Sequence, residues 1–321
     1  MLVAVAVLIV GAYLGYLVWS NNRSLLTGSP ASREIQAFSE KLKKNPNDVE
    51  TRMRLAQALS VAGRGPEAIA QYQQVLKVNK DWVPALSGIG FEMMKLKDWK
   101  GGKEYFAKVI ALTEGKAPQM SGASSLEIAY YYSGIAMMEQ KDYAGAAGYL
   151  KRALQMHRDA SDTAYALAIC YNKLGIEDGY RQMLLYTLQF DPKMPEANYD
   201  YGMLLLKDGD LAGAAEHLRT SATAAPYKKE PQDQLAKLGT APARLASANG
   251  LASTDASAAL AQARIAAALD PQSVDSLMLV AKLWEQLKDR TKAADAYSKV
   301  LIIDPSNATA TAGLKRVKNG S

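Results

Sequence analysis

Apolar residues return every three to four positions along most of this chain, in helix-length blocks separated by short polar turns. That spacing lines one face of an α-helix and predicts a succession of paired amphipathic helices. Within the blocks a small residue recurs at a fixed step: Ala56, Gly90, Gly134, Ala168, Gly202 and Ala281. The interval is 34 from Ala56 to Gly90, from Gly134 to Ala168 and from Ala168 to Gly202. Gly90 to Gly134 is 44, one period plus an insertion of ten, and Gly202 to Ala281 is 79, two periods plus eleven.

Each period reads as helix A, a turn and helix B. The first places Leu55 and Ala56 on helix A, a turn at Gly63, and Ala68 and Tyr72 on helix B. The second has Leu86, Ile89 and Gly90, then Trp99, Gly102 and Phe106; the third has Tyr130 and Gly134, then Tyr143, Ala146, Leu150 and Ala153. The fourth has Leu167, Ala168 and Tyr171, then Gly175, Leu184 and Pro192; the fifth has Tyr201, Gly202 and Leu205, then Gly209, Ala214, Leu218 and Pro226. Gly115 to Ser124, rich in Gly, Ser and Pro, is the insertion. A degenerate repeat from about Pro242 to Pro271 carries Ser247 in the small slot. The last repeat has Leu277, Val280, Ala281 and Trp284, then Ala293, Ala294, Tyr297, Val300 and Pro305. A polar helix from about Ala308 to Lys318 covers the final apolar face, as an array of stacked units requires. At the other end, Ser32 reads as the N-cap of a helix from about Arg33 to Lys44, a half-repeat with Phe38 and Leu42 as its stripe.

The segments are therefore 1–20, a transmembrane anchor; 21–32, a juxtamembrane linker; and 33–226, a half-repeat plus five repeats. After these come 227–242, an irregular linker, and 243–318, the degenerate repeat, the final repeat and a capping helix. Leu2 to Trp19 is uncharged and mostly apolar. As a helix it spans roughly 27 Å at about 1.5 Å per residue, close to the hydrocarbon thickness. Tyr13, Tyr16 and Trp19 fit an interfacial belt, and no basic residue precedes the run as a cleavable signal peptide requires. Arg23, Arg33, Lys41, Lys43 and Lys44 follow it, so the positive-inside rule favours a single-pass protein of the cell membrane with cytoplasmic repeats. An extracytoplasmic domain is the alternative.

These recurring residues resemble the tetratricopeptide repeat (TPR) family over about Ser32 to Lys318. The resemblance implies an all-α, right-handed superhelical solenoid of antiparallel helix pairs, here preceded by one transmembrane helix. The sequence departs from the family's pattern where Lys80 replaces the closing proline, where Tyr180 replaces the alanine on helix B, and in the degenerate repeat.

In that family helix A lines an inner groove. Continuing each repeat's phase gives Met53 and Gln57, then Phe91 and Met94, then Tyr131, Ile135 and Met138. Tyr165, Ile169 and Asn172 follow, then Tyr199, Met203 and Leu206, and finally Met278, Lys282 and Glu285. The partner-binding residues expected are the eleven from Phe91 to Leu206. Tyrosine and methionine suit a groove that holds a helix or extended peptide by shape and apolar contact. The same stripe also suits packing between helices. Family members that clamp a carboxylate use lysine and asparagine; only Lys95, Asn172 and Lys173 are candidates here.

Composition removes the rival classes. The formal charge is +6, with Lys and Arg scattered, so no nucleic-acid partner is expected. Cys170 is the single cysteine, flanked by Ile169 and Tyr171, and reads as a buried thiol. His157 and His217 read as surface positions without metal-spaced neighbours. Gly88-Ile89-Gly90 lacks the third glycine of a nucleotide fingerprint, and Asp208, Asp210 and Glu216 lack EF-hand order. The expectation is no enzyme, no cofactor and no metal.

The function expected is a membrane-anchored protein-interaction scaffold or assembly factor. The arrangement resembles the anchored regulators of lipopolysaccharide assembly, without their C-terminal cysteine module. Two alternatives stand. One is an exported factor resembling the repeat domains that hold apocytochrome during haem attachment. The other is a structural subunit of a membrane complex that uses its outer face.

Overall fold

The computed structural model describes residues 30–115 and 122–319. The expected anchor at 1–20, most of the linker at 21–32 and most of the Gly115–Ser124 insertion lie outside them. The described residues form helices joined by turns, with no strand among them. In order these are α1 (Pro30–Lys44), α2 (Val49–Val61), α3 (Gly65–Val78), α4 (Val83–Lys95), α5 (Trp99–Thr113) and α6 (Gly122–Glu139). Next come α7 (Tyr143–Met156), α8 (Ser161–Lys173), α9 (Glu177–Phe190), α10 (Pro195–Asp208), α11 (Leu211–Ala224) and α12 (Glu230–Lys237). The last are α13 (Ala241–Leu251), α14 (Ala256–Leu269), α15 (Val274–Gln286), α16 (Arg290–Ile303) and α17 (Ala308–Asn319). Among the described residues no helix is long and apolar enough to cross a membrane.

Helix starts follow local chemistry. Asp98, Asp142, Asp210, Asp255 and Asp289 each accept a hydrogen bond from the backbone N–H three residues on, at Gly101, Gly145, Gly213, Ala258 and Lys292. An acceptor at that position satisfies one of the helix's orphan donors. Pro66, Pro84 and Pro195 sit in the first turns of α3, α4 and α10, where the missing N–H costs nothing.

The 34-residue step has a steric origin. Gly90, Gly134 and Gly202 on helix A each face the helix B side chain sixteen positions on: Phe106, Leu150 and Leu218. A Cβ added at these glycines would lie 3.0, 2.7 and 2.9 Å from the nearest atom of that side chain. All three partners are completely buried. The small slot exists so that helix A can close on a large helix B residue.

The chain divides into two compact units. One runs to Asp159 and includes Ile169–Gly175; the other comprises Ala160–Ala168 and everything from Ile176. In the first, α2 pairs with α3, α4 with α5 and α6 with α7, and each B helix packs on the next A helix. Its cores gather Leu55, Ala56, Tyr72, Val75 and Ile89, then Leu86, Met94, Phe106 and Val109. In the second unit α10 pairs with α11, α13 with α14 and α15 with α16, and α17 covers α16. Its largest core joins Leu260, Leu277, Val280, Ala281, Leu283, Tyr297, Val300 and Val317.

Four expectations change. Ser32 is not an N-cap: it lies inside the helix, which already includes Pro30 and Ala31. Residues 227–242 are not wholly irregular, because Leu235 and Leu238 bury against α11 and hold α12 in place. Glu230 and Asp233 in its first turn and Lys237 in its last match the helix dipole. In the degenerate repeat Ser247 is exposed and Ala248 is the buried residue, which moves the slot by one position. His217 is not a surface residue: it lies half-buried in the middle of α11.

Candidate partner-binding face

In the first unit the A helices α2, α4 and α6 neighbour one another directly. Phe91 on α4 and Tyr131 and Tyr132 on α6 meet there. The Phe91 and Tyr132 ring centroids are 5.5 Å apart at 76°, and those of Tyr131 and Tyr132 are 5.1 Å apart at 75°. Behind them Tyr132 stacks on the buried ring of Phe106, at 5.5 Å and 10°. Edge-to-face and offset pairs at these separations are favourable arrangements of aromatic quadrupoles. The core thus fixes Tyr132, and Tyr132 fixes the rings on either side. Burial raises the Tyr132 phenol, so it stays protonated. Phe91 remains 37% exposed, an unusual state for a phenylalanine held so firmly. Lys95, one turn on, places its ammonium 5.2 Å from the Phe91 ring. The same ammonium bonds Glu92 Oε1 at 3.0 Å and the Ser60 carbonyl at 3.2 Å. Glu92 is almost fully buried and also accepts from the Ser60 hydroxyl.

Ile135 and Met138 are half-buried on the same helix, Ile169 is half-buried and Asn172 is exposed. Met94 does not line this face. It is 5% exposed and packs in the core against Gly102, whose Cβ would lie 3.1 Å from its Sδ. Met53 and Met278 are core residues as well. A flexible thioether fills gaps between helices as readily as it lines a groove, which is why helical phase alone misplaced them.

In the second unit Tyr199, Met203 and Leu206 are half-buried on α10. Tyr199 and Leu206 pack at the edge of a core with Ala214 and Leu218. Tyr165 is committed to the fold. Its hydroxyl donates to Asp200 Oδ2 at 2.9 Å, and Tyr180 donates to the same carboxylate. Burial raises the Asp200 carboxyl, against the lowering effect of the two hydroxyls. Burial likewise pushes both tyrosines up, so they remain donors. This explains the departure at Tyr180. The ring that replaces the helix B alanine is 7% exposed and pays for its bulk with a hydrogen bond to the next helix. Neither Asp200 nor Tyr132 is among the site residues expected from the sequence. Asp200 was legible as an acid at a helix A position sixteen after Leu184, where the first repeat has Gly88 after Tyr72.

The second unit also holds a cleft of about 450 Å³, lined by His217, Arg219, Lys299, Ile302 and Ile303 among others. The Asn198 amide nitrogen donates to the Pro192 and Met194 carbonyls, at 3.0 and 2.9 Å. Its oxygen therefore faces His217 Nδ1 at 2.9 Å, so Nδ1 carries the proton. Arg219 Nε donates to the Ala268 carbonyl at 3.0 Å. Among the described residues no group of three or more His, Cys, Asp or Glu is placed to hold a metal ion.

Comparison with known proteins matches this geometry to one family. Tetratricopeptide repeat profiles match residues 29–86, 137–176, and 180–229 with 250–308, together more than half of the chain. The chain belongs to the tetratricopeptide repeat family. Among curated proteins, Superkiller complex protein 3 of Mus musculus is 38% identical and that of Homo sapiens 34% identical, each over 56 residues. Those residues are 17% of this chain, and the match spans 4% of each relative's length. Among solved structures, YrrB, described as a TPR protein with an unusual peptide-binding site, aligns at 19% identity and a TM-score of 0.49. That alignment covers 62% of this chain and 98% of YrrB. A tetratricopeptide repeat protein from Parabacteroides merdae aligns at 14% identity and a TM-score of 0.48, over 95% of this chain and 98% of its own.

Proposed function

We propose that this chain is a membrane-anchored scaffold whose helix A face holds a helix or extended segment of a partner protein. The observation that carries the reading is the aromatic strip of Phe91, Tyr131 and Tyr132. It is fixed from behind by Phe106 yet leaves Phe91 open to solvent. Rigid aromatic rings supply contact area at little entropic cost, which is what an interface anchor needs. The anchor is the apolar run Leu2–Trp19. In the second unit Tyr199, Met203 and Leu206 are a candidate contact of their own, whereas Tyr165 positions α10 rather than meeting the partner.

The test is crosslinking in membranes, followed by identification of what copurifies with wild type and with Tyr131→Asp or Met203→Asp. A partner lost from both variants, with helicity retained, supports the reading. An unchanged partner set moves the function to the outer face or the anchor. Protease treatment of intact spheroplasts fixes the side of the membrane: repeats that resist digestion are cytoplasmic, and repeats that are cut belong to an exported factor.

A further inference from the structure

The turn between helices A and B holds a residue in the left-handed region in all the regular repeats. Gly63, Gly175 and Gly209 occupy it with φ of 73°, 72° and 83°. Lys97, Lys141 and Lys288 occupy it with φ of 61°, 62° and 63°. Glycine enters that region freely, whereas a lysine there is strained by its Cβ. The turn is the same in each case, so it does not itself call for lysine. A residue held in a sparsely populated conformation points to a role the conformation does not supply.

In the first unit the strained lysines are part of a row. Lys97 and Lys141 mark the turns of consecutive repeats, Lys95 and Lys100 flank the first of them, and Lys173 ends α8 in the same unit. All five are exposed. The ammonium groups of Lys97, Lys100, Lys141 and Lys173 make no hydrogen bond or ion pair among the described residues. The adjacent Asp98 and Asp142 each use a carboxylate oxygen to cap the following helix. Lys95 sits over Phe91, so the row meets the aromatic strip. A helix dipole favours cations at these ends, but helical positions on either side would serve it without strain. Lysine and arginine outnumber aspartate and glutamate in the first unit and do not in the second.

We infer that this lysine edge receives the acidic side chains of a partner segment whose apolar residues lie on the Phe91–Tyr131 strip. The partner is then an acidic amphipathic segment of a protein. This rests on the partner-face reading above and names the chemistry of what that face takes.

The experiment uses the full chain in detergent and fluorescent synthetic peptides. One peptide has leucines at helical spacing with glutamates on the opposite face; its counterparts carry glutamine or lysine in place of glutamate. Inorganic polyphosphate is the control for a generic polyanion. The glutamate peptide is expected to bind, and more tightly than either counterpart. Lys97→Gly/Lys141→Gly weakens it about three- to tenfold and lessens its salt dependence. The same double variant raises the thermal midpoint by about 2–6 °C, since glycine relieves two strained turns. No binding of the glutamate peptide, equal binding of the glutamine peptide, unchanged affinity in the double variant, or polyphosphate binding as tightly would each overturn the inference. Tyr131→Asp and Phe91→Ser separate the two readings. If they abolish binding while the double variant keeps it, the face stands and the lysine edge fails. If the double variant weakens binding and they do not, the edge stands and the face reading fails.

Discussion

Gly313 closes on the ring of Tyr297 so tightly that a Cβ there would lie 2.4 Å from Cζ and 2.6 and 2.7 Å from the two Cε atoms. Gly88 stands in the same relation to Tyr72, at 2.5, 2.6 and 2.9 Å. Each glycine follows its tyrosine by sixteen residues, on the first helix of the next unit. A tyrosine in the slot that Tyr72 and Tyr297 share thus leaves room only for a glycine on the following helix. Tyr297 cannot move aside. It is 1% exposed, and its hydroxyl donates to Glu285 Oε2 at 2.8 Å. Glu285 is in turn gripped by both Nε and Nη2 of Arg316.

Gly313→Ala and Gly88→Ala should therefore destabilise by about 1–3 kcal/mol, the usual cost of overpacking a filled core. Gly148 is the contrast: it is helical and exposed, and a Cβ there meets nothing within 4 Å. Gly148→Ala should stabilise by about 0.5–1 kcal/mol through helix propensity alone. Urea unfolding of the three variants checks both signs, and a uniform gain would remove the steric account.

His217 predicts a loss of stability in mild acid. Burial holds its pKa below the ordinary histidine value of 6.5, and Glu216 and Asp210 only partly oppose this. The unfolded chain therefore takes up the proton first. Stability is full above about 6.5 and declines as pH falls through the folded pKa. His217→Gln should flatten that decline. Thermal midpoints at closely spaced pH values between neutrality and pH 5 measure it.

The period was legible because it has a simple cause: a small residue on helix A and a large one sixteen later on helix B. It was lost where the cause changes. Ala248 took the slot from Ser247 because the degenerate repeat contacts different neighbours, α14 lying directly against α11. On the candidate face, Phe91 and Tyr131 followed from helical phase. Met94 did not, because phase gives direction and not depth; its inward turn depends on the room left by Gly102. Tyr132, which fixes the strip, carries no mark in the sequence that separates it from Tyr130 and Tyr131. Its place is set by Phe106, far along the chain.

Cys170 should behave as a reporter of unfolding rather than as a reactive group. It is completely buried, and burial pushes its thiol up to about 11. The thiolate is the species that reacts with alkylating agents. At neutral pH, iodoacetamide labelling should be negligible in the native state and should rise in step with the loss of helicity as urea is added. Labelling that precedes the helical transition would mean that this part of α8 opens on its own.

Asp200 offers a test of what the two tyrosines do. Its folded pKa is raised above the ordinary 3.8 because desolvation outweighs the hydrogen bonds from Tyr165 and Tyr180. A carboxyl with a raised folded pKa adds stability that is fully present below 3.8 and lost as pH rises through the folded value. At neutral pH the charge is thus buried at a cost, and the two hydroxyls offset part of it. Asp200→Asn keeps an acceptor oxygen and removes the charge, so its stability at pH 7 should equal or exceed wild type. Asp200→Ala leaves two largely buried hydroxyls without their acceptor and should cost about 1–3 kcal/mol for each hydroxyl left unsatisfied. The difference in unfolding free energy between wild type and Asp200→Asn should change as pH rises from 3.8 through the folded value and level off above it. A flat difference across that range, or a loss in Asn as large as in Ala, would mean that the carboxylate is needed as an anion and that the tyrosines hold it there.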